Sequence, residues 1–132
     1  MNQKKIGSSF EEEFAELLSE HGYWAHIVAP NTKDGSQPFD VIATKNDKFY
    51  AFDCKACKSE KFPLSRVESN QIYGFKRLHE VKSTSCYFAF KTPSGIYLGY
   101  AAEVVGYKDK GDKQFDVSTC ATFDKWVNSP WK

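Results

Sequence analysis

No stretch of this 132-residue chain approaches the roughly 20 consecutive apolar residues that a membrane helix needs. The start, Met1 to Gly7, runs into a charged helical segment and lacks the apolar core of a secretory signal, so the expectation is a cytoplasmic protein. There is no internal repeat and no low-complexity tract. G-x-G-x-x-G, P-loop and G-x-S-x-G patterns are all absent, which tells against nucleotide-binding and serine-hydrolase chemistry. The three histidines, His21, His26 and His79, fall in no metal-ligand spacing. Cysteines are few: Cys54, Cys57, Cys86 and Cys120, which suits a reducing compartment. Cys54 and Cys57 have CxxC spacing, but no second pair completes a zinc set, and on a strand positions three apart point to opposite faces. They read as ordinary thiols.

One-signed charge is also missing. The net is only +1, so composition alone does not announce a nucleic-acid binder. The distribution is uneven, however. Residues 1–40 carry three basic and seven acidic side chains, whereas residues 41–92 carry ten basic and five acidic. The basic excess includes Lys58, Lys61, Arg66, Lys76, Arg77 and Lys82, a set suited to a phosphate backbone. With 41% hydrophobic and 16% aromatic residues, the chain is expected to fold as one domain over residues 1–132.

The stretch from Phe39 to Lys55 carries the most information. Two runs rich in Val, Ile, Phe and Tyr flank Lys45-Asn46-Asp47-Lys48, which predicts two antiparallel strands and a tight hairpin. A loop centred on Asn46-Asp47 sets Lys45 against Lys48 and, counting back, Asp40 against Asp53. Lys55 lies two residues beyond Asp53 and shares its face. Two carboxylates and a lysine on one patch oppose stability, because like charges facing across strands repel. They suit a hard cation with oxygen ligands, and a lysine that steadies an attacking water or a phosphate.

Around this stretch, Phe10, Phe14, Leu17, Leu18 and His21 recur at helical spacing, with Ser8 or Ser9 as the expected N-cap and Gly22 as the stop. Glu11 adjoins the apolar stripe, within reach of the sheet. Tyr23 to Ala29 reads as a strand, and Pro30 to Pro38 as a polar loop. Ser65 with Glu68 suggests a capping box opening a helix to about His79, on which Val67, Gln71, Gly74, Phe75 and Leu78 share a face. Gln71 thus sits within an apolar stripe and needs a hydrogen-bond partner, either nearby backbone or, on a functional reading, a metal-bound water or the substrate. Ser85 to Thr92 and Ile96 to Ala102 read as strands, Glu103 to Tyr107 as a helical turn, and Phe115 to Ser118 as a short strand. The tail bearing Trp126 and Trp131 has no clear pattern.

Gly7-Ser8-Ser9-Phe10-Glu11, Phe39-Asp40, Asp53-Cys54-Lys55, and Lys61-Phe62-Pro63-Leu64 followed by Gln71 resemble, in that order, the PD-(D/E)xK nuclease superfamily. Within it the chain is similar to the RecU-type Holliday junction resolvases, through the F-P-L and helical-Gln pattern, and more loosely to the archaeal resolvases. The resemblance spans most of the chain and thins after about Thr92. It implies an α/β restriction-endonuclease-like core, with a mixed sheet of about five strands flanked by helices. It further implies a Mg²⁺-dependent endodeoxyribonuclease, with Mn²⁺ able to substitute, that resolves four-way DNA junctions as a homodimer. On this reading Glu11, Asp40 and Asp53 are the metal ligands, Lys55 orients water or phosphate, Gln71 supports the site, and Lys58, Lys61, Arg66, Lys76 and Arg77 contact DNA. Three features depart from the pattern. Phe39 stands for the motif proline, Asp53 for the usual glutamate, and the Pro30–Pro38 loop is much shorter than the RecU stalk. The alternatives are another DNA nuclease of the superfamily, restriction-like or branch-cleaving, or a non-catalytic DNA-binding module on the same fold.

Overall fold

The hairpin forms in the expected register. In the computed structural model, which describes residues 3–29, 39–81, 85–130 and 132 (3–9 by backbone alone), β2 (Val41–Lys45) and β3 (Lys48–Ala56) pair antiparallel, with Lys45 opposite Lys48 and Val41 opposite Phe52. Asn46 and Asp47 both take positive φ, 52° and 64°. A two-residue turn of that hand matches the twist of the strands, and Asn and Asp tolerate it better than most residues.

Before the hairpin come α1 (Gln3–Glu20) and β1 (Trp24–Ile27), which pairs antiparallel with β2. The helix begins earlier than expected, so Ser8 and Ser9 lie within it and not at its cap. Gln3, Lys4 and Lys5 are good helix formers, and Ile6 continues in sequence the four-residue spacing of Phe10 and Phe14, which outweighs the local preference of serine for a cap. Its C-terminus is as expected: Gly22 at φ 86° ends it, and the Tyr23 N–H caps back to the Leu18 carbonyl. The polar loop Pro30–Pro38, Lys82 and Trp131 lie outside the described residues.

After the hairpin follow β4 (Lys61–Pro63), a 3₁₀ turn at Leu64–Arg66, α2 (Ser69–Glu80), β5 (Cys86–Thr92) and β6 (Gly95–Tyr100). Then come α3 (Ala101–Asp109), β7 (Gln114–Asp116), β8 (Ala121–Thr122) and α4 (Phe123–Val127). The second helix therefore starts three residues later than the Ser65 reading placed it, because Val67 is extended and Glu68, not Ser65, is the N-cap. The main sheet has six strands in the order β1-β2-β3-β5-β6-β8, one more than expected, the sixth being the two-residue β8. All neighbours are antiparallel except β3 and β5, which are joined by the crossover containing α2. β4 and β7 form a separate two-stranded ribbon.

Each face of the sheet has its own apolar layer. On one side Phe10, Phe14 and Leu18 of α1 pack with Tyr50, Phe52, Tyr87 and Trp126. On the other, Phe75 of α2 packs with Phe62, Leu64, Phe88, Phe90 and Val104. Alternation along β3 sends Tyr50 and Phe52 to the first layer and Ala51 to the second. Asp53 and Lys55 follow Ala51, under α2. Cys54 and Cys57 pack against opposite layers, and all four thiols are free.

Candidate active site

Asp53 and Lys55 are charged residues in the interior of a central strand, and both are buried. Lys55 Nζ lies 3.2 Å from Asp53 Oδ2 and 3.4 Å from Gln71 Oε1. Gln71 Nε2 donates to Asp53 Oδ1 at 2.9 Å, while Oε1 accepts the Glu68 backbone N–H at 3.0 Å. The backbone link foreseen for Gln71 is therefore present, and the other end of the amide meets Asp53, a side-chain partner the sequence did not point to. The helix cap decides which end of the amide is the acceptor, and the opposite end has to donate to Asp53. Sequence reading missed Glu68 as part of this arrangement, although its spacing to Gln71 is that of a capping box.

Asp40 immediately precedes β2 and is buried. Its Oδ2 accepts the Cys54 N–H at 2.7 Å, so the carboxylate is anchored to β3 between Asp53 and Lys55. Glu11, half-buried on α1, meets Asp40 from the other side. Asp40 in turn lies beside Asp53, so its carboxyl adjoins both acids. The four predicted residues Glu11, Asp40, Asp53 and Lys55 thus come together with Gln71.

The electrostatics are those of crowded acids. Burial, and then proximity to Asp40, push the Glu11 carboxyl up to about 7. Burial, and then the adjoining Asp40 carboxyl, push Asp53 up to about 9, against the opposing pull of Lys55. The Cys54 thiol rises too, chiefly through burial. One cation does not neutralise the crowded carboxyls, which is why Glu11 and Asp53 hold their protons to higher pH than free acids.

Among the described residues no group of three His, Cys, Asp or Glu side chains is already arranged to hold a metal ion. The donor chemistry nevertheless fits a hard cation. Asp53 Oδ2 is buried with no hydrogen-bond partner, and the neighbouring donors are all carboxylate oxygens. A divalent ion bound there would offset the repulsion among these carboxylates.

The predicted DNA contacts divide. Lys58, Lys61 and Arg66 lie in the segment between β3 and α2, at the Lys55 end of the strand; all three are exposed. Arg66 donates to the Ala56 carbonyl at 2.9 Å. Lys76 and Arg77 are exposed farther along α2, on turns beyond Gln71, where Arg77 pairs with Glu80 at 2.8 Å.

A mixed sheet with an acid at the head of one strand, D-x-K on its neighbour and a glutamine on the following helix defines a domain of the PD-(D/E)xK type. The comparisons narrow this. A family model described as archaeal Holliday junction resolvase (hjc) matches residues 2–119, and the chain belongs to that family. It is 29% identical over 72 residues to the crossover junction endodeoxyribonuclease Hjc of Methanocaldococcus jannaschii, a match covering 54% of this chain and 50% of that one. The matched stretch thus spans about half the length of that curated relative. In structure the chain is similar to the Holliday junction resolvase Hjc of Archaeoglobus fulgidus, with a TM-score of 0.68 at 16% identity over 92% of this chain and 99% of that one. At that identity the likeness speaks for the fold. These matches favour the archaeal branch of the resemblance and carry nothing specific to RecU.

Proposed function

We propose that this protein is a Mg²⁺-dependent endonuclease that hydrolyses DNA phosphodiesters, acting on four-way junctions as a homodimer. The observation that carries this reading is the buried Asp53–Lys55–Gln71 cluster, joined through Asp40 to Glu11, in a chain of the resolvase family. Ion pairs are rarely built into a central strand for stability, since desolvation consumes most of their attraction.

Glu11, Asp40 and Asp53 would hold the divalent ion, which when bound acidifies a water and neutralises charge on the phosphate. Lys55 supplies a fixed ammonium beside Asp53. It stands where it can orient the attacking water or a non-bridging phosphate oxygen, a role worth most in the transition state. Gln71 fixes the rotamer of Asp53 by donating to Oδ1, so that Oδ2, beside the Lys55 ammonium, is the oxygen that would serve as a metal ligand. The Cys54 N–H does the same for Asp40. Lys58, Lys61 and Arg66 would contact the backbone beside the scissile phosphate, with Lys76 and Arg77 contributing to affinity at a distance.

The test is incubation with labelled four-way junction, duplex and single strand, in Mg²⁺, in Mn²⁺ and in EDTA. Metal-dependent cutting of the junction in preference to the others is the expected result. Equal cutting of every substrate would mean a general nuclease, and binding without cutting a DNA-binding module. Action on DNA also fits the cytoplasmic location expected from sequence; no helix among the described residues is long and apolar enough to cross a membrane.

A further inference from the structure

The half of the sheet that α2 does not cover carries exposed rings on the same face as Asp53 and Lys55. Trp24, 61% exposed, pairs with Thr44, and Thr44 with Phe49, which is 36% exposed. His26, also exposed, pairs with Ile42, and Ile42 with Ala51. Directly paired residues point to one face, and residues two apart on a strand share it. Trp24, His26 and Phe49 therefore stand on the face of Ala51, Asp53 and Lys55. The Trp24 and His26 rings lie parallel, at an interplanar angle of 4° with centroids 5.8 Å apart. Strand spacings of about 3.3 Å along and 4.8 Å across put the three rings roughly 12–16 Å from Asp53. That corresponds to about three to five phosphates along a strand at duplex spacing.

We infer that Trp24, His26 and Phe49 form a stacking platform for an unpaired nucleobase at the branch of the DNA whose backbone enters the site; this rests on the nuclease reading above. Continuity of one sheet face with the candidate active site is what selects this occupant. A continuous duplex hides the faces of its bases, whereas a branch point or frayed end offers them. Aromatic rings accept any base, because each has a π-face. The platform would thus favour branched over linear DNA without reading sequence. A second copy of the chain fits less well. Three partly exposed rings offer at most a few hundred Å², short of the roughly 800 Å² per partner of a stable interface, and β1 is only four residues long.

The experiment measures affinity in EDTA for a four-way junction and for a duplex of the same sequence, using the parent, Trp24→Ala, His26→Ala and Trp24→Phe. A 2-aminopurine placed at the branch reports stacking directly. Trp24→Ala should bind the junction roughly tenfold more weakly, hold duplex affinity, and lose quenching of the probe. Trp24→Phe should retain most of both. Equal loss on junction and duplex, or no loss on either, overturns the platform. So does sedimentation showing that Trp24→Ala dissociates a dimer, because the patch is then a face between copies. Trp24 is mostly exposed, so the variant is expected to melt near the parent. If the parent cuts junctions with Mg²⁺ and the variants match it in binding, only the platform fails. If the parent neither prefers nor cuts junctions, the functional reading fails with it.

Discussion

Lys55 is the residue whose removal separates binding from chemistry. Its ammonium is buried against Asp53; in the proposed mechanism it would act at one phosphate, whereas many exposed basic side chains would share the grip on DNA. Lys55→Ala should abolish detectable cleavage and change junction affinity less than about threefold, read by parallel cutting and gel-shift assays. Cleavage within tenfold of the parent would remove Lys55 from the mechanism.

Asp53 makes the complementary prediction about stability. Its folded carboxyl is raised from 3.8 to about 9, and that of Glu11 from 4.5 to about 7. A carboxyl raised on folding keeps a proton that the unfolded chain has released. The metal-free protein therefore loses stability as pH climbs from about 4, with the Glu11 share complete near 7 and the Asp53 share near 9. Asp53→Asn keeps an Oδ1 acceptor for Gln71 and carries no charge to bury. In EDTA its stability should match the parent near pH 4 and exceed it by at least about 0.5 kcal/mol at pH 8. Thermal melts across this range decide it, and a variant less stable than the parent at pH 8 would make Asp53 a structural residue.

At the scale of elements, α2 couples the site to a helix end. Gln71 holds the Glu68 N–H and Asp53 with opposite ends of one amide. Gln71→Leu suits the apolar stripe but deprives the first turn of its acceptor. It should cost about 1 kcal/mol in denaturant melts and also slow cleavage. Gln71→Glu keeps the acceptor for the cap but directs a carboxyl oxygen at Asp53, so it should retain more stability yet cleave no better. Equal cleavage by parent and Leu variant would confine Gln71 to the helix cap.

Elements were legible in proportion to their length and to the strictness of their turns. The hairpin register followed from Asn46-Asp47, since two positive-φ residues leave one pairing. The α1 and α2 stripes followed from helical spacing. Helix starts did not, because serine caps compete with neighbouring good helix formers in α1 and with the extended Val67 before α2. The region after Phe115 was least legible: β8 has two residues and α4 five, too few to show a period. Trp126 is held there by contacts with Tyr23, Tyr50, Phe52 and Tyr87, all distant in sequence, and with its helix neighbour Phe123. At the site, the residue types could be read along the strands, but the placement of Asp40 on the Cys54 N–H required coordinates.

For the whole molecule, the proposed metal site would set protons and metal in competition for the same oxygens. Mg²⁺ should therefore raise the melting temperature of the parent more at pH 8 than at pH 6, and more than that of Asp53→Asn at either pH. An equal rise in both proteins would mean that the ion binds away from Asp53.

The single parallel pairing, β3 with β5, also has a consequence for the order in which the chain folds. β1-β2-β3 and β5-β6 are each antiparallel units closed by contacts near in sequence, and such units form early. Joining them requires closing the whole crossover between Ala56 and Cys86, a slower event that costs more chain entropy. Asp53 and Lys55 lie on one side of that seam, and Gln71 belongs to the crossover itself. The carboxylates therefore meet their amide partner only when the two halves dock. Early intermediates would hold the hairpin without the buried charges, sparing the nascent chain their repulsion until the rest of the core is in place.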